Sequence, residues 1–317
     1  MPDLVIGLLH PGEMGSAVGG CLTEAGYPVW WASAGRGPAT AARARRAGLS
    51  DAGTVAGLAG RCDVIVSVCP PHAAVEVARS VAAGGGGSVA AGAGGSVAAG
   101  PGPAGFRGVF VDANAISPAC ARTVAGIVEA AGASYVDGGI IGLPPVAAGS
   151  TRLYLSGPRA GQIRDLFAGT RVDARIVDDR IGSASAVKMA YAAWTKGTAA
   201  LLLAARALAT AEGVQDALAT EWGLSQPDLA DRTRRAARSA ALKGWRWVAE
   251  MEEIAGSMAA AGLPPGFGEA AAEIFRRSSR AASAPSPADA PSPASVSMAA
   301  GEVSTEAVLG ALLDPGR

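Results

Sequence analysis

Short apolar segments alternate with helical patterns through the first half of the chain. An apolar run at residues 3–9 is followed by the spacing of an amphipathic helix at residues 13–26. The apolar runs are continuous rather than alternating, which is typical of strands buried on both faces of a parallel sheet. Further strands are predicted at 27–32, 62–69, 108–113, 134–139, 151–157 and 174–178, with helices near 39–48, 72–82 and 117–132. This order predicts an α/β domain with helices on both faces of the sheet.

The pattern changes after residue 179. Residues 182–212 predict one long helix that is apolar on nearly every side, and such a helix has to be buried on several faces. Further helices are predicted at 214–221, 227–242, 244–261 and 267–279. The second domain is therefore predicted to be all-α.

These patterns divide the chain into four parts, predicted at residues 1–179, 180–280, 281–302 and 303–317. The first is the α/β domain and the second is the all-helical domain. The third is rich in Pro, Ser and Ala and is expected to be disordered, and the fourth carries a short helix around 303–313. The glycine-rich segment 84–105 has no side chains that build a core, so we expect a surface loop there.

The charge balance narrows the class of protein. With 27 basic and 27 acidic residues the formal net charge is +0, so we expect no surface for nucleic acid or for an anionic membrane. The four cysteines show no Cys-x-x-Cys spacing and there are two histidines, so no metal site is expected. We find no apolar segment of about 18 residues and no secretory leader, and expect a cytoplasmic protein.

Glycines stand between the first predicted strand and the first helix. Residues 7–15 read Gly-Leu-Leu-His-Pro-Gly-Glu-Met-Gly, at the place where a Rossmann domain holds the pyrophosphate of a dinucleotide. His10 replaces the first fingerprint glycine, either as a substitution that the turn tolerates or as a residue that touches the cofactor. The helix N-terminus offers backbone N–H groups to phosphate. We predict cofactor contacts from Gly12, Glu13, Met14 and Gly15.

The end of the second predicted strand indicates which nicotinamide nucleotide binds. NAD-binding domains usually place an acid there for the ribose hydroxyl, and residues 30–37 contain none. Ser33 and Arg36 suit a 2′-phosphate instead, because a guanidinium is a forked, charged donor. Arg36 is otherwise a solvated loop cation. We therefore predict NADP as the cofactor, with Ser33, Arg36 and Pro70 among its contacts.

Three motifs, at residues 5–15 (VIGLLHPGEMG), 111–118 (VDANAISP) and 182–188 (GSASAVK), resemble those of the β-hydroxyacid dehydrogenases. That family includes 3-hydroxyisobutyrate and 6-phosphogluconate dehydrogenases. The resemblance covers the N-terminal half well, whereas the C-terminal half looks like a branch of the superfamily with a domain of unassigned function. It implies a Rossmann domain followed by an all-α domain, and NAD(P)-dependent chemistry.

The resemblance implies that Lys188 is the general acid/base. Reducing a carbonyl requires a proton on oxygen as hydride reaches carbon, and a positioned lysine can deliver it. Lys188 is also the sole charge between Arg180 and Lys196, which is compatible with catalysis or with a structural lysine. The family's substrate-orienting asparagines correspond to Tyr191 and Ala192, so Tyr191 is either a catalytic partner or a packing residue.

Two further motifs bear on the substrate. Asn114 corresponds to a family loop near the nicotinamide and the substrate, where an amide can donate and accept; an Asx turn before the next helix is the alternative. Residues 137–143 (DGGIIGL) correspond to the family's substrate-binding motif, in which Ile141 replaces a serine that grips a carboxylate. The replacement implies a more apolar pocket.

The sequence thus predicts an NADP-dependent oxidoreductase that acts on a small carbonyl or alcohol. Imine reduction is an alternative because imine reductases share this architecture, although they usually carry Asp or Tyr at the lysine position. A non-catalytic NADP-binding protein is another.

The expected partners are a small-molecule substrate and a second copy of the chain. The all-round apolar helix predicts a homodimer through the helical domain. Side chains that either line a shared pocket or pack in a core or interface are Trp245, Trp247, Met251 and Glu252.

Overall fold

A computed structural model describes residues 4–84, 105–279 and 304–313. Most of the predicted loop at 84–105 and the whole predicted segment at 281–302 lie outside these residues. The chain forms two compact units, Met1–Lys188 and Met189–Arg317, which divide inside a long helix. The sequence prediction puts the domain boundary at 179–180, in the turn before that helix.

The first unit is built on one eight-stranded sheet. Its strands are β1 Ile6–Leu9, β2 Val29–Trp31, β3 Ser50–Asp51, β4 Val64–Ser67, β5 Val109–Asp112, β6 Ser134–Gly142, β7 Thr151–Ser156 and β8 Val172–Ile176. They lie in the order β3-β2-β1-β4-β5-β6-β7-β8. All neighbours are parallel except β6 and β7. The parallel prediction is wrong for this pair, because the short connection at 143–150 returns the chain as a hairpin.

Helices cover both faces of this sheet. They are α1 Glu13–Glu24, α2 Pro38–Arg46, α3 Val55–Ala59, α4 Ala74–Ala82, α5 Pro118–Ala130 and α6 Ala160–Leu166, with a 3-10 turn at Pro71–Ala73. Val64 and Val66 belong to the core on one face, and Ile65 between them belongs to the core on the other. This two-sided burial explains the continuous apolar strands, and the predicted Rossmann-type α/β domain is confirmed.

The helical unit contains most of α7 Ser183–Ala211 and the helices α8 Gln215–Ser225, α9 Leu229–Ala260, α10 Gly266–Ser278 and α11 Thr305–Leu313. The prediction of separate helices at 227–242 and 244–261 is wrong, since α9 runs through both. Gly244 does not end the helix. Its missing side chain lets α10 approach, because a Cβ there would lie 3.0 Å from the carbonyl oxygen of Phe275.

Helix α7 is buried on one side and exposed on another. Met189, Ala192 and Leu203 are buried, as the apolar sequence predicts. Large side chains remain exposed in a row at Tyr191, Trp194, Leu201 and Leu208, with 45 to 69% of each accessible. Among the described residues, no helix is both long enough and apolar enough to cross a membrane.

The aromatic segment of α9 packs within the helical unit. Met251 is fully buried, and the Trp247 ring meets the edge of Phe275 at 5.0 Å between centroids. Glu252 forms an ion pair with Arg276. Trp245 is partly exposed. Core and surface contacts thus account for Trp247, Met251 and Glu252.

Candidate functional site

The turn from β1 into α1 has the geometry of a phosphate cradle. The N–H of Gly12 donates to the carbonyl of His10 at 2.7 Å, and a Cβ at Gly15 would lie 2.5 Å from that same oxygen. A Cβ at Gly12 would meet nothing closer than 4.0 Å, so this side of the turn is open. No side chain caps the first N–H groups of α1, which leaves the positive end of the helix available to an anion. A dinucleotide pyrophosphate fits this turn.

His10 has a left-handed backbone with φ of +64°, unusual for a residue other than glycine. Its Nε2 lies 2.5 Å from the Arg36 guanidinium. Because a guanidinium only donates, we assign Nε2 as the acceptor and place the ring proton on Nδ1. Burial, reinforced by the Arg36 charge, lowers the pKa of His10 to about 4, so the ring is neutral at physiological pH. Within the described ranges Nδ1 is buried and has no hydrogen-bond partner.

The loop after β2 presents Arg36 beside the glycine turn. The Arg36 N–H donates to the Ser33 carbonyl at 3.0 Å, and the Ala34 N–H donates to the Gly53 carbonyl at 2.8 Å. The Arg36 side chain crosses from this loop to His10. The glycine turn and the loop after β2, both predicted to bind the cofactor, are therefore in contact through Arg36 and His10.

Asn114 joins the ends of β4 and β5. Its Oδ1 accepts from the Cys69 N–H at 2.5 Å and its Nδ2 donates to the Ser67 hydroxyl at 3.3 Å, with 2% of the residue exposed. The Asx-type bond is made by Asp112, which accepts from the Asn114 N–H at 3.1 Å. Burial raises the pKa of the Cys69 thiol to about 12, so it stays protonated. These bonds hold the exposed Pro70 at the carboxyl end of the sheet. Cofactor contact by Pro70 and a catalytic role of Asn114 near the nicotinamide and the substrate stay predictions.

A buried carboxylate fixes the start of α7. Asp137 on β6 is fully buried and accepts from the N–H groups of Gly182 at 3.1 Å and Ser185 at 2.9 Å. The hydroxyls of Ser185 and Ser156 also donate to it, at 2.6 and 3.0 Å. The Ser156 oxygen accepts from the Ala184 N–H at 3.0 Å. The first turn of α7 is thereby capped by two strands rather than by a local side chain.

This anchored turn carries Lys188. A Cβ at Gly139 would lie 2.8 Å from the Ala184 carbonyl and 3.0 Å from the Lys188 Cβ, so the glycine lets α7 lie directly against β6. The Lys188 ammonium donates to the Ile140 carbonyl at 2.8 Å. The strand pairing places Leu9, Ser67, Asp112 and Asp137 at one level across the sheet. Ile140 is three residues beyond it, about 10 Å toward the carboxyl edge where ligands bind in such folds.

Asp112 is the neighbour of Asp137 on the next strand and has a different environment. Its Oδ1 accepts from the Asn114 N–H, and its Oδ2 and the neighbouring Tyr135 hydroxyl are both buried. Burial raises the pKa of Asp112 to about 7, and the nearby Asp137 charge acts in the same direction. The two adjacent carboxyls have different surroundings, because Asp137 accepts from two N–H groups and two hydroxyls at the start of α7, whereas Asp112 accepts from Asn114 on its own loop.

The other predicted site residues lie in α1 and α7. Glu13 and Met14 begin α1 and are half-buried. Tyr191 is 45% exposed one turn beyond Lys188, whereas Ala192 is buried. Their roles in binding or catalysis stay predictions. No three His, Cys, Asp or Glu residues gather into a metal site within the described ranges.

Sequence reasoning missed the anchoring group. It assigned no role to Asp137, Ser156 or Ser185, and it left the contact between His10 and Arg36 open. One signal was present, since Asp112 and Asp137 both fall near predicted strand ends. Which carboxylate caps a helix 45 residues further along depends on tertiary structure.

Comparisons with known proteins support the fold. The family profile of a domain of unknown function, DUF1932, matches residues 209–278, in the helical unit. A search of curated proteins finds no match.

Among solved structures, a conserved hypothetical protein from Sinorhizobium meliloti 1021 is 22% identical with a TM-score of 0.66, over 98% of this chain and 96% of that one. The 3-hydroxyisobutyrate dehydrogenase of Mycobacterium tuberculosis with L-serine is 17% identical with a TM-score of 0.64, over 98% and 99%. A reductive aminase from Aspergillus terreus in complex with NADPH and ethyl levulinate is 21% identical with a TM-score of 0.52, over 88% and 94%. The resemblance to β-hydroxyacid dehydrogenases is confirmed at the level of the fold.

The Asp112–Asp137 pair gives a test of this geometry by two matched variants. Because the pKa of Asp112 is raised to about 7, the folded chain keeps a proton on this carboxyl at pH values where the unfolded chain has lost it. The free energy of unfolding therefore falls as the pH rises from about 4 to about 7. Asp112→Asn keeps the acceptor for Asn114 but cannot ionise. The free energy of unfolding of the variant and of wild type is measured by urea unfolding at pH 5 and at pH 8. We expect the difference, variant minus wild type, to be about 2–3 kcal/mol larger at pH 8 than at pH 5.

Asp137→Asn is the opposing variant. It replaces an acceptor-only carboxylate with an amide that donates, so we expect it to destabilise the first unit by roughly 2–4 kcal/mol at pH 8. Equal effects of the two substitutions at pH 8 would contradict the assigned environments.

Proposed function

We propose that the chain is an NADP-dependent oxidoreductase that interconverts a small carbonyl compound and its alcohol, with Lys188 as general acid/base. The observation that carries the proposal is the Lys188 ammonium, held on Ile140 at the carboxyl edge of the sheet that also bears the glycine turn. Solved structures of this fold include a 3-hydroxyisobutyrate dehydrogenase and a reductive aminase in complex with NADPH. We expect the cofactor and the substrate to bind at this same carboxyl edge of the sheet.

The residues divide the work between binding and proton transfer. A bound nicotinamide nucleotide supplies or accepts the hydride. The N–H groups at the start of α1 hold the pyrophosphate, and the open side of Gly12 lets it approach. The Lys188 ammonium donates a proton to the carbonyl oxygen during reduction, and the neutral amine accepts one from the alcohol during oxidation. The Ile140 carbonyl orients the amine by engaging one of its N–H groups.

The surroundings favour a substrate with an apolar part. Ile141 is buried in β6, and the following loop exposes Leu143 and Val146, which are 71% and 81% accessible. These side chains have no positive charge and no hydroxyl group that could bind a carboxylate. We propose simple ketones rather than hydroxyacids as the better substrates.

The proposal is tested by following NADPH consumption at 340 nm with small ketones, oxoacids and cyclic imines. Lys188→Ala is expected to lower kcat for a ketone by about 10²–10⁴-fold while NADPH binding stays within twofold of wild type. Lys243→Ala, an exposed lysine on α9, is the control and should behave like wild type.

The alternatives have distinct outcomes in this assay. Turnover confined to imines would favour C=N reduction. NADPH binding without turnover of any substrate would favour a non-catalytic protein. Full activity in Lys188→Ala would remove the proposed acid/base.

Cofactor preference depends on the pair of His10 and Arg36. We propose that Arg36 binds the 2′-phosphate of NADP and that neutral His10 is a positioning residue that holds the guanidinium toward the cofactor. The left-handed backbone conformation costs free energy at His10, whereas glycine adopts it freely. A residue that served only to make this turn would therefore be expected to be glycine.

Arg36→Ala is expected to weaken NADPH binding by at least tenfold and leave NADH binding unchanged, as measured by fluorescence titration. Arg46→Ala, an exposed arginine on α2, is its control. His10→Gly should keep or raise thermal stability yet weaken NADPH binding severalfold, with little effect on NADH. A His10→Gly variant that binds NADPH like wild type would make His10 a tolerated substitution only.

We also propose a homodimer formed through α7. Tyr191, Trp194, Leu201 and Leu208 recur at spacings of three and seven, the repeat by which two helices pack along a seam. A second copy of the chain presents the same row, so the contact is self-complementary.

Sedimentation velocity tests the assembly. Wild type is expected to sediment as a dimer, and a Trp194→Lys, Leu201→Lys double variant as a monomer. Leu224→Lys on α8, also exposed, should stay dimeric. A wild-type monomer across micromolar concentrations would contradict the proposal.

A further inference from the structure

A cavity in the helical unit is lined entirely by residues of that unit. It has a volume of about 640 Å³, within the range of small-molecule sites. Helices α7, α8 and α9, the turn after α8 and the start of α11 supply its walls. Its lining includes the side chains of Arg206, Trp222, Arg234, Arg235, Arg238 and Glu306.

The lining is strongly cationic although the chain as a whole has no net charge. Arg234 pairs with Asp231. In the described part of the chain Arg206, Arg235 and Arg238 form no ion pair, and the single acid of the lining, Glu306, forms none with them. Three guanidinium groups and the one carboxylate of Glu306 therefore line the cavity without an ion pair between them, so the lining keeps an excess of positive charge.

Two more observations indicate an anionic ligand. The Nε of Arg206 is buried and lacks a hydrogen-bond acceptor among the described residues, and a buried donor is costly when left unpaired. The cavity is also lined by Ser304, Thr305 and Glu306 at the start of α11, where the Ala307 N–H donates to the Ser304 hydroxyl at 3.1 Å. This helix end adds positive partial charge on the same side.

We infer that this cavity binds a small oxyanion, a phosphate or carboxylate, that carries a planar apolar group. The arginine forks match the oxygens of such an anion. Trp222, half-buried in the wall, offers an aromatic face to the apolar group. The lining residues of this cavity belong to the second unit, and the residues of the glycine turn belong to the first.

The test uses the full chain saturated with NADP, so that the glycine turn is not available, and measures phenyl phosphate binding by calorimetry. We expect saturable binding in wild type with NADP present or absent, and in Arg36→Ala, so a failure of the proposed cofactor site would not change this result. An Arg206→Gln, Arg238→Gln double variant should bind at least tenfold more weakly. Arg232→Gln on the same helix, where the arginine pairs with Asp228 outside the cavity lining, should stay within twofold.

The Trp222→Leu variant distinguishes binding of the apolar group from binding of the anionic group. It should weaken phenyl phosphate binding severalfold and leave inorganic phosphate binding unchanged. Circular dichroism checks that each variant is folded, and Arg235→Gln provides a milder substitution if the double variant is not. Absence of saturable binding, or equal weakening in Arg232→Gln, would overturn the inference. A changed sedimentation coefficient of the double variant without wild-type anion binding would also overturn it, in favour of a protein contact.

Discussion

The candidate site depends on one buried carboxylate, Asp137, and on the donors that converge on it. Its hydrogen bonds to Gly182, Ser185 and Ser156 join two strands to the beginning of α7. A helix end otherwise leaves its first N–H groups without acceptors, and a buried anion otherwise lacks solvation. The Asp137 carboxylate accepts the hydrogen bonds of these N–H groups, and the N–H groups take the place of its solvation. The start of α7 therefore has a fixed position on the sheet.

The second consequence is the placement of Lys188. Since the helix start is fixed and Gly139 allows close packing, the lysine amine reaches the Ile140 carbonyl beyond the level of the neighbouring strand ends. The site therefore rests on backbone geometry as much as on the lysine itself. Asp112 on the adjacent strand has no such role at a helix start, and burial raises its pKa to about 7.

Much of the α/β fold was predictable because continuous apolar runs report two-sided burial, which is a local property of the sequence. The hairpin between β6 and β7 and the unbroken α9 were not, since Gly244 serves a contact with Phe275 that no local pattern contains. The glycine turn and Lys188 were found from motif position. The partners of Arg36 and Asp137 lie 26 and up to 48 residues away along the chain, and their pairing required the tertiary structure.

A crystal structure of the chain with bound NADP and a ketone analogue tests the central claim most directly. The pyrophosphate is expected at the N–H groups that begin α1, the 2′-phosphate on Arg36, and the nicotinamide ring on the side of β6 where Lys188 lies, with the lysine amine hydrogen-bonded to the analogue's oxygen. A dinucleotide bound elsewhere, or a nicotinamide directed away from Lys188 in the complex, would contradict the assignment of this lysine to the chemistry.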